Sequence, residues 1–230
     1  MANVLTPFGF RHIGFLGGYQ PNYPMRRRKI ALGNTNPIFK GDPIVSLSTG
    51  YIAQAAVNTP AVGPPTCTGI FQGCEYYSVS QQRKVRSPYW PGSDAQFDPD
   101  AFVIDQSDAL FLAQSNGSPI VIGNVDNNIG FFIATGGAVA PVAGSGQGNT
   151  ISGISGALLD VAATNGSGSG AISASPGLSF RIIKLFSDDM VQGAPTIGST
   201  AFNGADNTTN FNFAVVMFNQ ISMHAGVFGI

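Results

Sequence analysis

The side chains able to do chemistry are few in this chain, and their spacing restricts what they can do. His12 and His224 stand alone, outside any metal-ligating spacing, and each is expected to be a hydrogen-bonding residue at a surface or interface. Asp94, Asp98 and Asp100, in GSDAQFDPD, could bring hard oxygens together around calcium. The stretch lacks the glycine and terminal glutamate of an EF-hand loop, and Asp beside Ser93 or Pro99 is ordinary turn chemistry, so turn roles are the weightier reading. Asp188 and Asp189 are adjacent, and neighbours on a strand point to opposite faces, so they are expected in a solvated loop rather than as a catalytic pair. Cys67 and Cys74 have no CxxC spacing; a staple between them is open in an oxidised virion, and free thiols in a reducing cytoplasm are the weightier expectation. The glycine-rich stretches GSGQGN and NGSGSG lack the Lys-Ser/Thr ending of a phosphate-binding loop. With no nucleophile beside a base, no convergent carboxylate pair and no metal cluster, the expectation is a protein without catalytic residues, metal or cofactor.

What remains is binding chemistry. The one charge run noted, Arg26, Arg27, Arg28 and Lys29, has three readings: a clamp on an acidic patch of a partner subunit, a solvated basic turn, or a contact to packaged DNA. Ahead of it, Phe8, Phe10, Phe15, Tyr19 and Tyr23 need somewhere dry to sit, yet Gly, Pro and Asn interrupt every apolar run around them. Residues 1–40 are therefore expected to form an extended arm that packs across a neighbouring surface, of its own domain or, by a narrow preference, of another subunit, in which case its aromatics, with Arg26, Arg27 and Arg28, make a partner interface. On that reading, removing residues 1–30 leaves a folded body. Tyr76, Tyr77, Tyr89 and Trp90 make a second aromatic group, and a face built from them would stack sugar rings.

The elements that must carry these residues are strands. From Ile38 onward, short runs of β-branched and aromatic residues end in turn residues: PIFKGDPIVSLSTGYIAQAAV, GIFQGCEYYSVSQQRKVRSPYW and AFVIDQSDALFLAQ. Lys40-Gly41-Asp42-Pro43 and Ser48-Thr49-Gly50 supply turns, the second at the tip of a hairpin. Residues 104–114 are the best helical stretch, but a strand–turn–strand fits about as well. Ile151, Ile154, Leu158, Leu159 and Val161 recur inside the Gly/Ser-rich residues 136–175, as a hairpin with a glycine-rich tip would require. LSFRIIKLF and FNFAVVMFNQISM complete the pattern. The expected fold is all-β, a barrel or sandwich body, with its first half in residues 41–120 and its second in 121–230; a separate β domain for the latter is the alternative.

Composition bears on partners. The 230 residues are 43% hydrophobic but only 10% charged, against about 25% in ordinary soluble proteins. Such a neutral surface favours association, which suits an assembled structural protein. The formal charge of −1 argues against bulk nucleic-acid binding. No run approaches the roughly 18–20 apolar residues of a membrane-spanning helix, and MANVLTPFGFRHIGFLGG has no signal-peptide pattern, so synthesis in the cytoplasm and no membrane span are expected.

The run GIFQGCEYYSVSQQRKVRSPYWPG, residues 69–92, resembles a segment of structural proteins of tailed, podovirus-like bacteriophages. There an apolar strand, a Gly-Cys-x-Tyr turn and a Tyr-Trp-Pro-Gly close follow in that order. DNNIGFFIATG, SGISGALLDVAA, LSFRIIKLF and FNFAVVMFNQISMHAGVFGI follow the order of blocks in the same group, so that the likeness covers about half the chain. KGDPIVSLSTGYIAQA is similar to the Gly-Asp hairpin of small β-barrel cement proteins. The resemblance implies a virion protein that decorates or cements the outer capsid as an oligomer, a trimer by preference, with the major capsid protein as partner. Tail or head–tail adaptor, and a displayed glycan- or receptor-binding module, are its alternatives.

Overall fold

A computed structural model of the chain describes residues 5–18, 25–55, 67–133, 148–161, 172, 178–186 and 210–219. Among these the protein is built from antiparallel strands and one short 3-10 turn, Ile122–Asn124, with no α-helix. Period-two alternation explains why: in β10 (Ala109–Gln114), Ala109, Phe111 and Ala113 point inward while Leu110 and Leu112 are half-buried on the other face. The stretch 104–114 resolves as strand, turn, strand, with β9 (Asp100–Ile104) ending where the chain crosses to a different sheet.

One sheet has six strands in the order β1 (Arg11–Phe15), β10, β14 (Phe213–Phe218), β13 (Phe180–Leu185), β11 (Asn128–Phe132) and β12 (Leu158–Asp160). It curls until β12 reaches the residues that follow β10, where Leu159 bridges Ser115 and the Asn116 side chain donates to Asp160 Oδ1 at 2.7 Å. The other runs β2 (Arg26–Lys29), β9, β6 (Gly69–Ser78), β4 (Pro43–Ser46) and β5 (Ile52–Gln54), with β7 (Arg83–Ser87) pairing beside β6. It curls as well, bringing Ile30 against Ile52. A two-stranded ribbon, β3 (Ile38–Phe39) with β8 (Tyr89–Trp90), lies beside it. β4 and β5 form the hairpin expected around Gly50. The division between sheets falls between β9 and β10, near residues 105–108, and β1 joins the later strands, so the halves do not part at residue 120.

Apolar faces on both sides of β6 and β9 join the sheets. Phe71 and Val103 enter a smaller core with Ile30, Ile44, Ile52, Cys74 and Trp90. Their neighbours Ile70 and Ile104 point the opposite way, into a larger core with Phe111, Phe131, Leu159, Phe180 and Phe218. A strand buried on both faces cannot shift register without placing the wrong residues in each core.

Within the first forty residues, the described segments 5–18 and 25–40 pack into the sheets. Phe10 and Phe15 are buried in the larger core, and Phe10 stacks on Phe180 with ring centroids 4.4 Å apart. β1 is the edge of one sheet and β2 the edge of the other, and Ile30 is wholly buried. Phe10 and Phe15 are therefore core residues of their own chain and not anchors for a partner. The interruptions by Gly, Pro and Asn limit these strands in length without preventing them, since an edge strand needs a partner on one side only.

The two sheets are tied at the turn Lys40-Gly41-Asp42. Asp42 is fully buried, and its carboxyl accepts hydrogen bonds from Phe39 N–H (2.8 Å), Gln54 Nε2 (2.7 Å) and the Ser155 hydroxyl. Gly41 holds φ at +97°, and a Cβ there would lie 3.1 Å from Phe10 N, so glycine allows the close approach. The backbone completes the knot: Phe10 N–H donates to Gly41 O, Lys40 N–H to Gly153 O, and Ser155 N–H to Lys40 O.

Two outcomes follow. Phe10→Ala should cost about 3–5 kcal/mol in urea denaturation, and removal of residues 1–30 should abolish the cooperative transition; a cooperatively folded truncated chain would restore the separable arm. Burial raises the Asp42 carboxyl from 3.8 to about 7, so between those values the unfolded chain ionises before the folded one. Stability then falls as pH rises through that window and levels off above it, by an amount on the order of a few kcal/mol. His12, which burial lowers, acts with the opposite sign below its ordinary value, so the measurement is the difference between wild type and Asp42→Asn. Asp42→Asn should be less stable at pH 5 and show a flatter slope from pH 5 to 8; parallel slopes refute the assignment.

Candidate interaction surface

The basic run is strand β2, and its register with β9 decides where each cation goes: Arg26 opposite Val103, Arg27 opposite Phe102, Arg28 opposite Ala101 and Lys29 opposite Asp100. Val103 and Ala101 point into the smaller core, so Arg26 and Arg28 lie along its rim. There Arg28 Nη2 donates to Ser46 Oγ at 2.7 Å, and Arg26 pairs with Asp105 at 3.2 Å. Arg27 and Lys29 face outward with Phe102 and Asp100, and Lys29 pairs with Asp100 at 2.9 Å.

A second basic strand arrives from the other side of β6. β7 has the sequence RKVRS, and its pairing places Arg86 opposite Glu75, Lys84 opposite Tyr77 and Arg83 opposite Ser78. Lys84 neutralises Glu75 at 3.0 Å, which leaves Arg86 to reach across β6. It can do so because Gly73 is the β6 residue opposite Phe102 and has no side chain. Gly73 sits beside a bulge with φ +130°, and a Cβ there would meet Ser87 O at 2.9 Å. The guanidinium carbons of Arg27 and Arg86 lie 5.6 and 5.0 Å from the Phe102 ring centroid. Cation–π contact of this kind is worth about 0.5–1 kcal/mol at exposed sites, enough to bias two long side chains toward one arrangement.

The two strands concentrate charge. β2 carries four of the eleven Lys and Arg residues of the chain and β7 three more, so seven sit on two strands that sequence separates and the sheet brings together. Asp100 and Glu75 are taken by lysines, while Arg27 and Arg86 contact the ring and keep their outward N–H groups available. Such a pair can grip carboxylates or phosphates.

The remaining candidates have other roles. Phe8 is half-buried and stacks on Phe213 at 5.8 Å; Tyr19, Tyr23, His224, Asp188 and Asp189 lie outside the described residues. His12 is half-buried with its ring edge-on to Phe15 and Phe111, and burial lowers its basicity. The aromatic platform is not formed. Trp90 is fully buried, donates Nε1–H to Asn34 O at 3.0 Å and meets Tyr76 edge-on, while Tyr89 stacks on Phe39. Hydrophobic burial of the indole in the smaller core takes it from any sugar.

Asp94, Asp98 and Asp100 serve separate turns. Asp94 accepts from Ser78 and Ser80, which holds its carboxyl below the usual range. Asp98 accepts from Leu32 N–H and Tyr51 Oη, and Asp100 pairs with Lys29. Among the described residues no group of three or more His, Cys, Asp or Glu is placed to hold a metal. Cys67 and Cys74 are free and buried, and burial pushes each thiol up to about 12. The sequence reading missed Arg86 and Phe102; the available signal was RKVRS, whose spacing puts Arg86 two residues from Lys84 and on its face.

Fold and face together describe an all-β protein with two basic strands flanking β6 and β9. Compared with protein-family models, curated proteins and solved structures, the chain matches none.

The cysteine environment has a direct check. Native protein at pH 8 should leave an aromatic disulfide reagent unreacted for hours, and addition of guanidinium should release two equivalents at once; rapid native labelling would contradict the burial of both thiols.

Proposed function

We propose that this chain is a structural protein of a tailed-bacteriophage virion, decorating the outside of the head by bridging neighbouring major capsid subunits, as a closed oligomer and by preference a trimer. The observation that carries the reading is the paired arginine face on Phe102, a rigid basic patch on a chain poor in charge elsewhere. The segment whose sequence resembles phage structural proteins, residues 69–92, contains β6, the bulge, β7 and β8, and so builds half of that face. Binding rather than catalysis fits the committed state of the reactive groups: Asp42, Cys67 and Cys74 are buried in structural hydrogen bonds.

In this reading Arg27 and Arg86 meet carboxylates on the shell, where bidentate pairing supplies orientation as well as affinity. Asp100, Glu75 and Asp105 on and beside the face disfavour a continuous polyanion such as packaged DNA. A protein that binds only the assembled shell stabilises it by mass action against internal pressure.

The first measurement is copy number relative to the major capsid protein in purified virions, by quantitative mass spectrometry. A ratio near one, or a simple fraction of it, supports decoration; a handful of copies moves the protein to the portal or tail, and absence sinks the structural reading. In parallel, Arg27→Gln with Arg86→Gln, both at exposed sites, should leave the melting temperature within a few degrees and weaken head binding about tenfold or more, with a shallower salt dependence. Unchanged binding would remove the face from the interface.

A further inference from the structure

A cleft of about 430 Å³ opens beside the Lys40–Asp42 turn, and none of the residues of the arginine face lines it. Four segments remote in sequence form its walls. The entry to β1 brings Phe8, Phe10 and Arg11; the turn brings Lys40 and Gly41; the β6 bulge brings Gln72; the tight turn at residues 149–153 delivers Ile154. The cleft therefore exists only when the Asp42 knot is tied.

Three features of its lining are unmatched among the described residues. Arg11 and Lys40 have no carboxylate in ion-pair range there. Gln72 Nε2 is shut off from solvent and meets no acceptor among them. A buried amide nitrogen without an acceptor is uncommon in a folded protein and commonly marks the place of a missing partner. Beside these polar groups, Phe8, Phe10 and Ile154 present an apolar wall.

An occupant that answers all three needs an acceptor oxygen for Gln72, negative charge for Arg11 and Lys40, and apolar substance for the wall. A bare inorganic anion supplies the first two and leaves most of the space empty, since pockets of about 300–1,000 Å³ hold molecules larger than an ion. We propose that the cleft is a binding site for a carboxylate carried on an apolar stem, as presented by the end of a polypeptide or by an acidic side chain among apolar neighbours. The site is independent of the head-binding reading, because it shares no residue with the arginine face.

The test is a titration of ¹⁵N-labelled full-length protein at pH 7 and constant ionic strength, following the Gln72 side-chain N–H2 resonances. The probes are acetyl-Ala-Phe-Leu with a free carboxyl, the same peptide as its amide, acetyl-Ala-Phe-Asp amide, and inorganic phosphate. The expected result is a saturable shift with the free acid or with the Asp peptide, the stronger of the two naming the source of the carboxylate, and at least about tenfold weaker binding of the amide. Arg11→Gln with Lys40→Gln, both exposed, should weaken the best probe by a similar factor without lowering the melting temperature. Gln72→Leu, followed instead through the backbone amides of Gly41 and Ile154, should weaken it as well, through loss of the donor. The proposal is overturned by the absence of any saturable shift, by equal binding of acid and amide, by phosphate binding as tightly as the peptides, or by affinity that survives the Arg11 and Lys40 substitutions.

Discussion

A carboxyl group without water around it must find donors or give up its charge, and Asp42 organises the protein around that requirement. Its three donors come from the turn it belongs to, from β5, and from Ser155, which lies 113 residues further along the chain. Ala157 N–H in turn donates to the Ser155 oxygen at 2.9 Å, so the hydroxyl proton points toward Asp42. Burial opposes ionisation while the donors favour it, and the compromise is a carboxyl that titrates near neutrality. A buried network of this kind is costly when half made, which is why the turn, the hairpin and the 149–155 segment hold their positions together.

The arginine face and the cleft are both built out from that junction. β4 starts at Pro43, immediately after Asp42, and pairs with β6; β6 carries the bulge that sets Gln72 on one side and opens the space at Gly73 on the other. The cleft and the arginine face thus share a structural cause without sharing residues. The bulge is the hinge of both: an unbulged β6 would bring a side chain against Phe102, and Gln72 would return to the regular alternation. The knot and the doubly buried strands β6 and β9 join two curled sheets into a single body, since the larger core draws Ala55, Cys67, Ile70 and Ile104 from the sheet that also encloses the smaller one.

The surface is suited to association. Ile151 is almost fully exposed at 96%, on a turn that Asn149 pins through its Oδ1 to the N–H groups of Ile151 and Ser152, and Phe97 and Ile122 are exposed as well. With only 10% of its residues charged, the protein has little to keep it apart from other protein.

How much of this was legible in the sequence depends on the range of the interaction. Strand identity, the hairpin at Gly50, free cysteines and the all-β class follow from period-two patterning and turn residues, which act over a few positions and leave their mark locally. The Arg26–Lys29 run was visible as charge, but not its split between rim and outer face, because that is decided by register with β9. Arg86 and Phe102 are unremarkable in the sequence and become a site through pairings across β6. Phe10 and Phe15 looked like residues in search of a partner, and they found one in the larger core of their own chain, where Phe10 stacks on Phe180; composition cannot tell an intramolecular neighbour from an intermolecular one. Asp42 read as turn chemistry, which it is. Its burial, its raised proton affinity and its hold on Ser155 were settled only by tertiary structure, because a donor 113 residues away leaves no trace in local sequence.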